Sequence, residues 1–98
     1  MSLTITFTPK AKETFLYTTL QIKEKWGLKS AANFVKQSNQ VFKSISIQPF
    51  VFKSFSDLDV RKGMITKQIS FLYRVSDEQI EILLVWDNRE EPILQFNT

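Results

Sequence analysis

The sequence predicts one α+β domain over residues 1–98, in which an N-terminal strand precedes a hairpin of two helices and an antiparallel meander of two to three strands, with the helices packed on one face of the sheet. Three observations support this prediction. An alternating segment opens the chain, two helical patterns follow it up to Pro49, and two long apolar runs occupy 64–75 and 80–86. With 98 residues, of which 43% are hydrophobic, the chain can bury one core and is too short for two.

The first strand and the first helix are marked by local signals. Apolar residues alternate with threonines over residues 2–7, which predicts a half-buried strand. Thr8 and Pro9 then favour a helix start, because threonine can cap a helix and proline loses no hydrogen bond at its first position. The apolar stripe of this helix ends at Gly27, a residue that favours helix C-termini.

A second helix is expected to begin after Ser30, which can cap it, and to end at Pro49, whose ring cannot continue a helix. Its apolar residues form an i, i+3, i+4, i+7 stripe about four turns long. No acidic residue occurs between Glu24 and Asp57. The face opposite the apolar stripe is instead basic, with lysines that recur every seven residues: Lys29, Lys36 and Lys43.

Leu16 and Leu20 lie outside the apolar stripe of the first helix, four residues apart on a neighbouring face. They either pack as core residues under a second element or stay exposed for a partner. The basic face of the second helix is likewise either a partner surface or an ordinary solvated one. The predicted partner-binding residues are therefore Leu16, Leu20, Lys29, Lys36 and Lys43.

The second half of the chain is expected to form a meander of two to three strands. Residues 64–75 and 80–86 predict an antiparallel hairpin, and the nearly continuous apolar run of 80–86 indicates a central strand. Residues 93–96 form either a brief edge strand or a loose tail. Less regular structure is expected before the hairpin: an extended segment at 50–55 and turns at 57–59 and 62–63.

The composition excludes several classes of function. Without cysteine or histidine, the chain lacks thiolate metal sites, cysteine nucleophiles and the usual general base. No phosphate-binding loop or nucleophile elbow occurs, so no cofactor and no metal are expected. No apolar run approaches the roughly 20 residues of a membrane span, and a signal-peptide pattern is missing. We therefore expect a cytoplasmic protein with no membrane partner.

The net charge of +3 is unevenly distributed along the chain. Residues 1–76 carry +8, whereas residues 77–98 carry −5. A basic body of this kind suits a polyanion such as RNA or an acidic protein partner. Alternatively, the two charges cancel on the folded surface.

Cationic residues are the remaining candidates for chemistry. RNA cleavage without histidine would need arginine for the transition state and a lysine or tyrosine of lowered pKa as the proton acceptor. Lys67 interrupts an apolar strand face, where partial burial would lower its pKa, unless its ammonium group reaches water. Arg89 follows the central strand, but Asp87, Glu90 and Glu91 beside it offer ion pairs.

Two segments carry a resemblance to a known family. The segments TKQISFLYRV at 66–75 and QIEILLVWDNR at 79–89, together with Pro49 after the second helix, resemble the RelE/ParE toxins of bacterial type II toxin–antitoxin (plasmid stabilization) modules. The resemblance covers nearly the whole chain. It implies an antitoxin that neutralises the protein and one of two activities: RelE-like members cleave mRNA on the ribosome, and ParE-like members inhibit DNA gyrase.

Individual positions distinguish the two activities. The mid-strand arginine of RelE-like nucleases falls at Ser70 here, and Gln95 stands where a catalytic tyrosine is expected. The dipeptide Ala31-Ala32 and the ending Arg89-x-x-Pro92 resemble ParE-like members more closely. The RelE-like interpretation would use four basic residues as catalytic groups: Arg89, Lys67, Arg61 and Lys62.

The resemblance therefore favours a ParE-like toxin whose partners are a cognate antitoxin and DNA gyrase. A ribosome-dependent endoribonuclease acting on mRNA is the first alternative. A non-toxic relative kept as an interaction module is the second.

Overall fold

The structure, a computed structural model, describes residues 2–54 and 60–89, which form two helices and a four-stranded sheet. The helices pack against the sheet, so the α+β class is confirmed. No helix in these two ranges is long and apolar enough to cross a bilayer. In chain order the elements are β1 (Thr4–Phe7), α1 (Pro9–Trp26), α2 (Leu28–Ile47), β2 (Val60–Met64), β3 (Ile69–Val75) and β4 (Gln79–Asp87).

The strands are ordered β1-β4-β3-β2 across the sheet. β3 is antiparallel to both β2 and β4, which confirms the predicted hairpin of the last two long strands. β1 pairs parallel to β4, with Thr4 opposite Gln79 and Phe7 opposite Ile82. β4 therefore has a neighbour on each side, as its apolar run predicts.

An aromatic cluster joins the helices to the sheet. The Phe42 ring on α2 lies 5.3 Å from the rings of both Phe7 and Phe71, in edge-to-face geometry. On α1, Phe15 stacks on Phe34 with a centroid distance of 5.5 Å. Because each large apolar side chain contributes about 1.5–3 kcal/mol on burial, this cluster is a main source of the stability of the fold.

Gly27 alone connects the two helices. Its N–H donates to the Lys23 carbonyl at 2.8 Å and its carbonyl accepts from the Ala31 N–H at 3.2 Å, so one residue closes α1 and opens α2. Its φ of 96° is a conformation that glycine adopts without strain. The prediction that Ser30 caps α2 is wrong, because the reversal at Gly27 starts the helix at Leu28 and leaves Ser30 in the first turn.

The expected turn at residues 62–63 is also wrong, because both residues belong to β2. Gly63 lies opposite Phe71 in the β2–β3 register. A Cβ atom at this position would lie 2.5 Å from Phe71 Cζ and 3.0 Å from Phe52 Cδ2. The glycine thus permits a close approach of two aromatic rings to a strand, a role that sequence alone does not separate from a turn.

The predicted strand at 64–75 is shorter than expected. Residues 65–68 form a bend between β2 and β3, where the Thr66 hydroxyl accepts the N–H groups of Gln68 and Ile69 at 3.2 and 3.1 Å. These local hydrogen bonds to a side chain hold residues 65–68 in a bend and not in a strand. Lys67 lies in the bend and is exposed, so its placement on a strand is wrong, and of the two alternatives for its side chain the solvent-exposed one holds.

Smaller differences concern the first strand and the segment after α2. The first strand begins at Thr4 and not at residue 2. Residues 50–52 are turns and bends, and the expected extended segment is reduced to one bridge between Ser54 and Arg61. The predicted turn at 57–59 and the terminal segment at 93–96 lie outside the described residues.

Candidate functional site

Helix α1 covers the part of β4 that β1 leaves unpaired. β1 reaches only to Ile82 of β4, and beyond it α1 supplies the hydrogen bonds. The Thr8 hydroxyl donates to the Leu83 carbonyl at 3.2 Å, and the Val85 N–H donates to Thr14 Oγ1 at 3.1 Å. Two threonine hydroxyls therefore satisfy backbone groups of a strand edge and fix α1 along it.

A cleft of about 350 Å³ lies between α1 and the second half of β4. The buried side chains of Thr18 and Leu84 line it, together with the aromatic side chains of Tyr17, Trp26 and Trp86. The volume falls in the range of ligand pockets. Both tryptophans of the chain are thus wall residues of one cleft.

Arg89 and Asp87 form a clamped ion pair at the end of β4. Arg89 Nη2 lies 2.7 Å from Asp87 Oδ2, while Arg89 Nε and its backbone N–H both donate to Asp87 Oδ1, at 3.0 and 2.8 Å. The hydrogen bond from the Arg89 side chain holds the pKa of Asp87 below its ordinary value, although partial burial opposes this. Nearby Lys25 adds a smaller contribution in the same direction.

The remaining charges around the cleft are mainly positive. Lys10 and Lys25 line it on the side of α1, and among the described residues of that side the carboxylate opposing them is Glu13. Asp87, the other lining carboxylate, is already paired with Arg89. The cleft therefore combines aromatic walls with a small excess of positive charge.

Arg61 faces the helix side of the sheet and holds the segment after α2. Its Nη1 donates to the Phe52 carbonyl at 2.7 Å, and its guanidinium carbon lies 4.7 Å from the centroid of the Phe50 ring. The neighbouring Tyr73 hydroxyl donates to the Pro49 carbonyl at 2.8 Å. Burial raises the pKa of Tyr73, and the charge of Arg61 partly opposes this rise. We call these two side chains the Arg61–Tyr73 latch.

Lys62 lies on the opposite face of β2, because successive residues of a strand point to opposite sides. Its Nζ is 5.7 Å from the centroid of the Trp86 ring, across the sheet surface. On the same surface Arg74 pairs with Glu81 at 3.6 Å. Within residues 2–54 and 60–89, no group of three or more metal-binding side chains occurs.

The four basic residues predicted as catalytic do not converge on one point. Arg61 and Lys62 face opposite sides of the sheet. Lys67 and Arg89 lie at the same end of the molecule, where the Asn88 N–H donates to the Gln68 carbonyl at 2.6 Å. Lys67 nevertheless does not line the cleft between α1 and β4, whereas Arg89 does.

The predicted partner-binding residues are exposed. The exposed fractions of Leu16 and Leu20 are 58% and 51%, so neither packs under a second element within the described residues. Tyr17, which lines the cleft, lies beside them and is 53% exposed. The three lysines of α2, Lys29, Lys36 and Lys43, are also exposed.

Sequence reasoning missed the cleft itself. The sequence places Trp26 in the helical turn before Gly27 and Trp86 at the end of the apolar run 80–86, and neither position indicates that the two residues share a cavity. The available signal was Thr14 and Thr18, two hydroxyls on the inner side of α1. Inward hydroxyls of this kind indicate an edge or a cavity that needs hydrogen bonds.

Solved structures of bacterial toxins match this chain over most of its length. The chromosomal ParDE toxin–antitoxin system of P. aeruginosa has a TM-score of 0.72 and 18% identity, and covers 88% of this chain and 96% of the matched one. The RelBE2 complex of Mycobacterium tuberculosis has a TM-score of 0.64, 22% identity and coverages of 89% and 99%. The YoeB dimer of Staphylococcus aureus has a TM-score of 0.61 and 24% identity, and covers 86% of this chain and 94% of the matched one. The chain has the RelE/ParE toxin fold.

The RelE/ParE fold of this chain is evident from its backbone and not from close sequence similarity. No protein-family sequence model matches the chain, and no curated protein sequence is similar to it. The matched structures include ParE, YoeB and RelE-type systems, so the fold is common to toxins of several names. Which activity the chain has must be argued from its own side chains.

Proposed function

We propose that this chain is the toxin of a type II toxin–antitoxin module and acts by binding its target, as ParE-like toxins act on DNA gyrase. The observation that carries the proposal is the divergence of the basic residues that RNA cleavage would require. A transition state with charge on one phosphate needs its cations around one point. Arg61 and Lys62, which lie on opposite faces of β2, cannot meet this requirement together.

The Arg61–Tyr73 latch supports the same proposal. The Arg61 guanidinium is already engaged by a backbone carbonyl and an aromatic ring, so its contacts are those of a structural residue. Moving it to a phosphate would break both contacts.

The position of Ser70 is a further support. The family resemblance would place a mid-strand arginine there, but Ser70 is fully buried. Its hydroxyl accepts a hydrogen bond from the Asn88 side-chain amide at 2.9 Å. A buried serine in this position can neither bind a phosphate nor stabilise its negative charge.

A cognate antitoxin is the first partner that this proposal implies. The exposed Leu16 and Leu20 offer an apolar surface for it, and the lysines of α2 suit an acidic chain. Reversing the charge of Lys29, Lys36 and Lys43 together should slow antitoxin association several-fold at low salt and reduce its salt dependence. An unchanged association rate would show that these lysines serve solubility alone.

The direct test is pulse-labelling of DNA and protein synthesis in a bacterium during the first minutes after the chain is induced without antitoxin. We expect DNA synthesis to stop first while translation continues. Prompt loss of translation would contradict the proposal and favour the RelE-like endoribonuclease. No effect on growth would indicate a non-toxic relative.

Arg89→Ala gives a second test within the same assay. If the chain acts by binding through other surfaces, Arg89→Ala keeps its toxicity. A nuclease that uses Arg89 at the phosphate loses its toxicity on this substitution. Arg74→Ala removes another half-exposed arginine on the sheet and serves as the matched control.

A further inference from the structure

The cleft between α1 and β4 has a chemical character that none of the activities above requires. Its walls are aromatic, with Trp26 and Tyr17 more than half exposed at its opening. Its buried lining residues, Thr18 and Leu84, form the base. A surface with this much exposed aromatic area is typical of a contact site, because large exposed apolar groups are unfavourable in water.

The charges at the opening specify what can enter. Asp87 is neutralised by Arg89 through two side-chain contacts, which leaves Lys10 and Lys25 opposite Glu13 among the lining residues that the structure describes. A cationic side chain would meet two lysines, whereas a carboxylate would be attracted. The size of the cleft suits one large side chain, such as phenylalanine or leucine, with its flanking residues outside.

We propose that this cleft receives an acidic segment of a partner protein, which inserts one aromatic or branched aliphatic side chain between Trp26 and Trp86 and places a carboxylate beside Lys25. The proposal rests on the proposed function to the extent that an antitoxin is the natural source of such a segment. It extends that function by naming the anchoring point and the chemistry of the partner. The exposed Leu16 and Leu20 on the same helix would continue the contact outward.

The chain contains its own reporter of this contact. Its two tryptophans both line the cleft, so a change in tryptophan fluorescence or in the two indole N–H resonances reports binding there. We would titrate the full chain at low ionic strength with the capped peptide EDFED, which contains no tryptophan. The matched peptides are EDAED, which lacks the anchor, and KRFRK, which reverses the charge.

We expect EDFED to bind saturably with a dissociation constant below about 1 mM, and at least about tenfold more tightly than either matched peptide. The absence of a saturable change, or equal binding of KRFRK, would overturn the proposal. Phenylacetate alone binding as tightly as EDFED would also overturn it, because the cleft would then be a small-molecule site.

Two pairs of variants localise the contact. Lys25→Glu should weaken EDFED binding about tenfold, whereas Lys23→Glu should change it less than about twofold. Both lysines are exposed in the last turn of α1, but only Lys25 lines the cleft. Trp26→Ala, followed through Trp86, should also weaken binding about tenfold, against no change in Leu28→Ala, whose side chain is exposed outside the cleft. Equal effects within either pair would refute the assignment.

The peptide titration and the pulse-labelling experiment fail independently. If the chain binds EDFED but does not stop growth, the cleft proposal stands and the toxin function is refuted. If the chain is toxic but does not bind EDFED, the toxin function stands and the cleft proposal is refuted.

Discussion

Arg61 and Arg89 show how differently one residue type is used at two places in this sheet. Arg61 lies against the segment after α2, with its Nη1 on a backbone carbonyl and its guanidinium carbon over the Phe50 ring. Arg89 lies at the end of β4, 53% exposed, with its charge matched by Asp87. The first contacts a backbone carbonyl and an exposed aromatic ring, and the second contacts a carboxylate at the opening of a cleft. The groups that an arginine contacts, and not its position in or next to a strand, therefore indicate whether it stabilises the fold or lies at a binding surface.

The largest expected effect on stability is at Gly63, two residues after Arg61 on β2. Gly63→Ala adds a methyl group against the Phe71 and Phe52 rings, and we expect it to lower the free energy of unfolding by about 2–3 kcal/mol. Urea denaturation measures the change. Met64→Ala, one residue along on the opposite, exposed face, is the control and should cost less than half as much. Equal losses would show that the rings move aside easily.

The next effect concerns the hydroxyl of the latch. Tyr73→Phe leaves the ring in place but removes the donor to the Pro49 carbonyl, and should lower the free energy of unfolding by about 1–1.5 kcal/mol. Tyr17→Phe, which changes an exposed tyrosine, should be close to neutral. If Tyr73→Phe were also neutral, the segment after α2 would be held by Arg61 alone.

The same tyrosine predicts a dependence of stability on alkaline pH. Burial raises the pKa of Tyr73 in the folded chain above its ordinary value of 10.0, so the unfolded chain ionises first. Its contribution is complete below pH 10 and is lost as the pH rises through the folded-state pKa. The thermal midpoint of the wild type should therefore fall more steeply above about pH 10 than that of Tyr73→Phe. Parallel curves for the two chains would contradict this assignment.

Breaking the exposed pair should cost less than breaking the latch. Arg89→Ala should lower the free energy of unfolding by about 0.5–1 kcal/mol, because half of the arginine side chain is in water and its charge is screened. Thermal unfolding by circular dichroism measures the change. A loss larger than that of Tyr73→Phe would reverse the order expected for the exposed pair and the latch.

The smallest effect is the acid titration of the same pair. The pKa of Asp87 is lowered by its hydrogen bond from Arg89, so the stabilising contribution is present above the ordinary pKa of 3.8 and is lost as the pH falls through the folded-state pKa. Asp87→Asn should flatten the fall of the thermal midpoint between about pH 4 and pH 2 slightly, by a few tenths of a kcal/mol after screening. Arg89→Ala should remove the same part of the slope. A slope unchanged in both variants would exclude the pair as its source.

The helices were predicted well because their signals are local. Thr8, Pro9 and Gly27 mark ends within one or two residues, and the stripe of α2 is continuous along the chain. β2 was missed because Val60–Met64 has no alternation and becomes a strand only by pairing with β3. The family resemblance predicted the fold class without these pairings, since it depends on the long apolar strands.

The candidate site could not be predicted from periodicity. Trp26 and Trp86 lie in elements at opposite ends of the chain, and their proximity follows from the seating of α1 on the edge of β4. Lys67 is exposed because hydrogen bonds to the Thr66 hydroxyl bend the chain at residues 65–68, before β3 begins. The residue types indicate that cations lie near the sheet. Which face of the sheet each cation occupies becomes clear only from the strand register.

The parallel pairing of β1 with β4 has a consequence for how the chain folds. The hydroxyl of Thr8 reaches a carbonyl 75 residues later, so neither the first strand nor the inner side of α1 finds its hydrogen-bond partners on the sheet until β4 is available. Contacts this distant in sequence require the closure of a long loop before any stabilisation is gained. The helical hairpin and the β2–β3–β4 meander join segments that are close in sequence, whereas the pairing of β1 with β4 requires closure over about 75 residues. The cleft, which residues of β4 line, therefore cannot form before β4 has been synthesised.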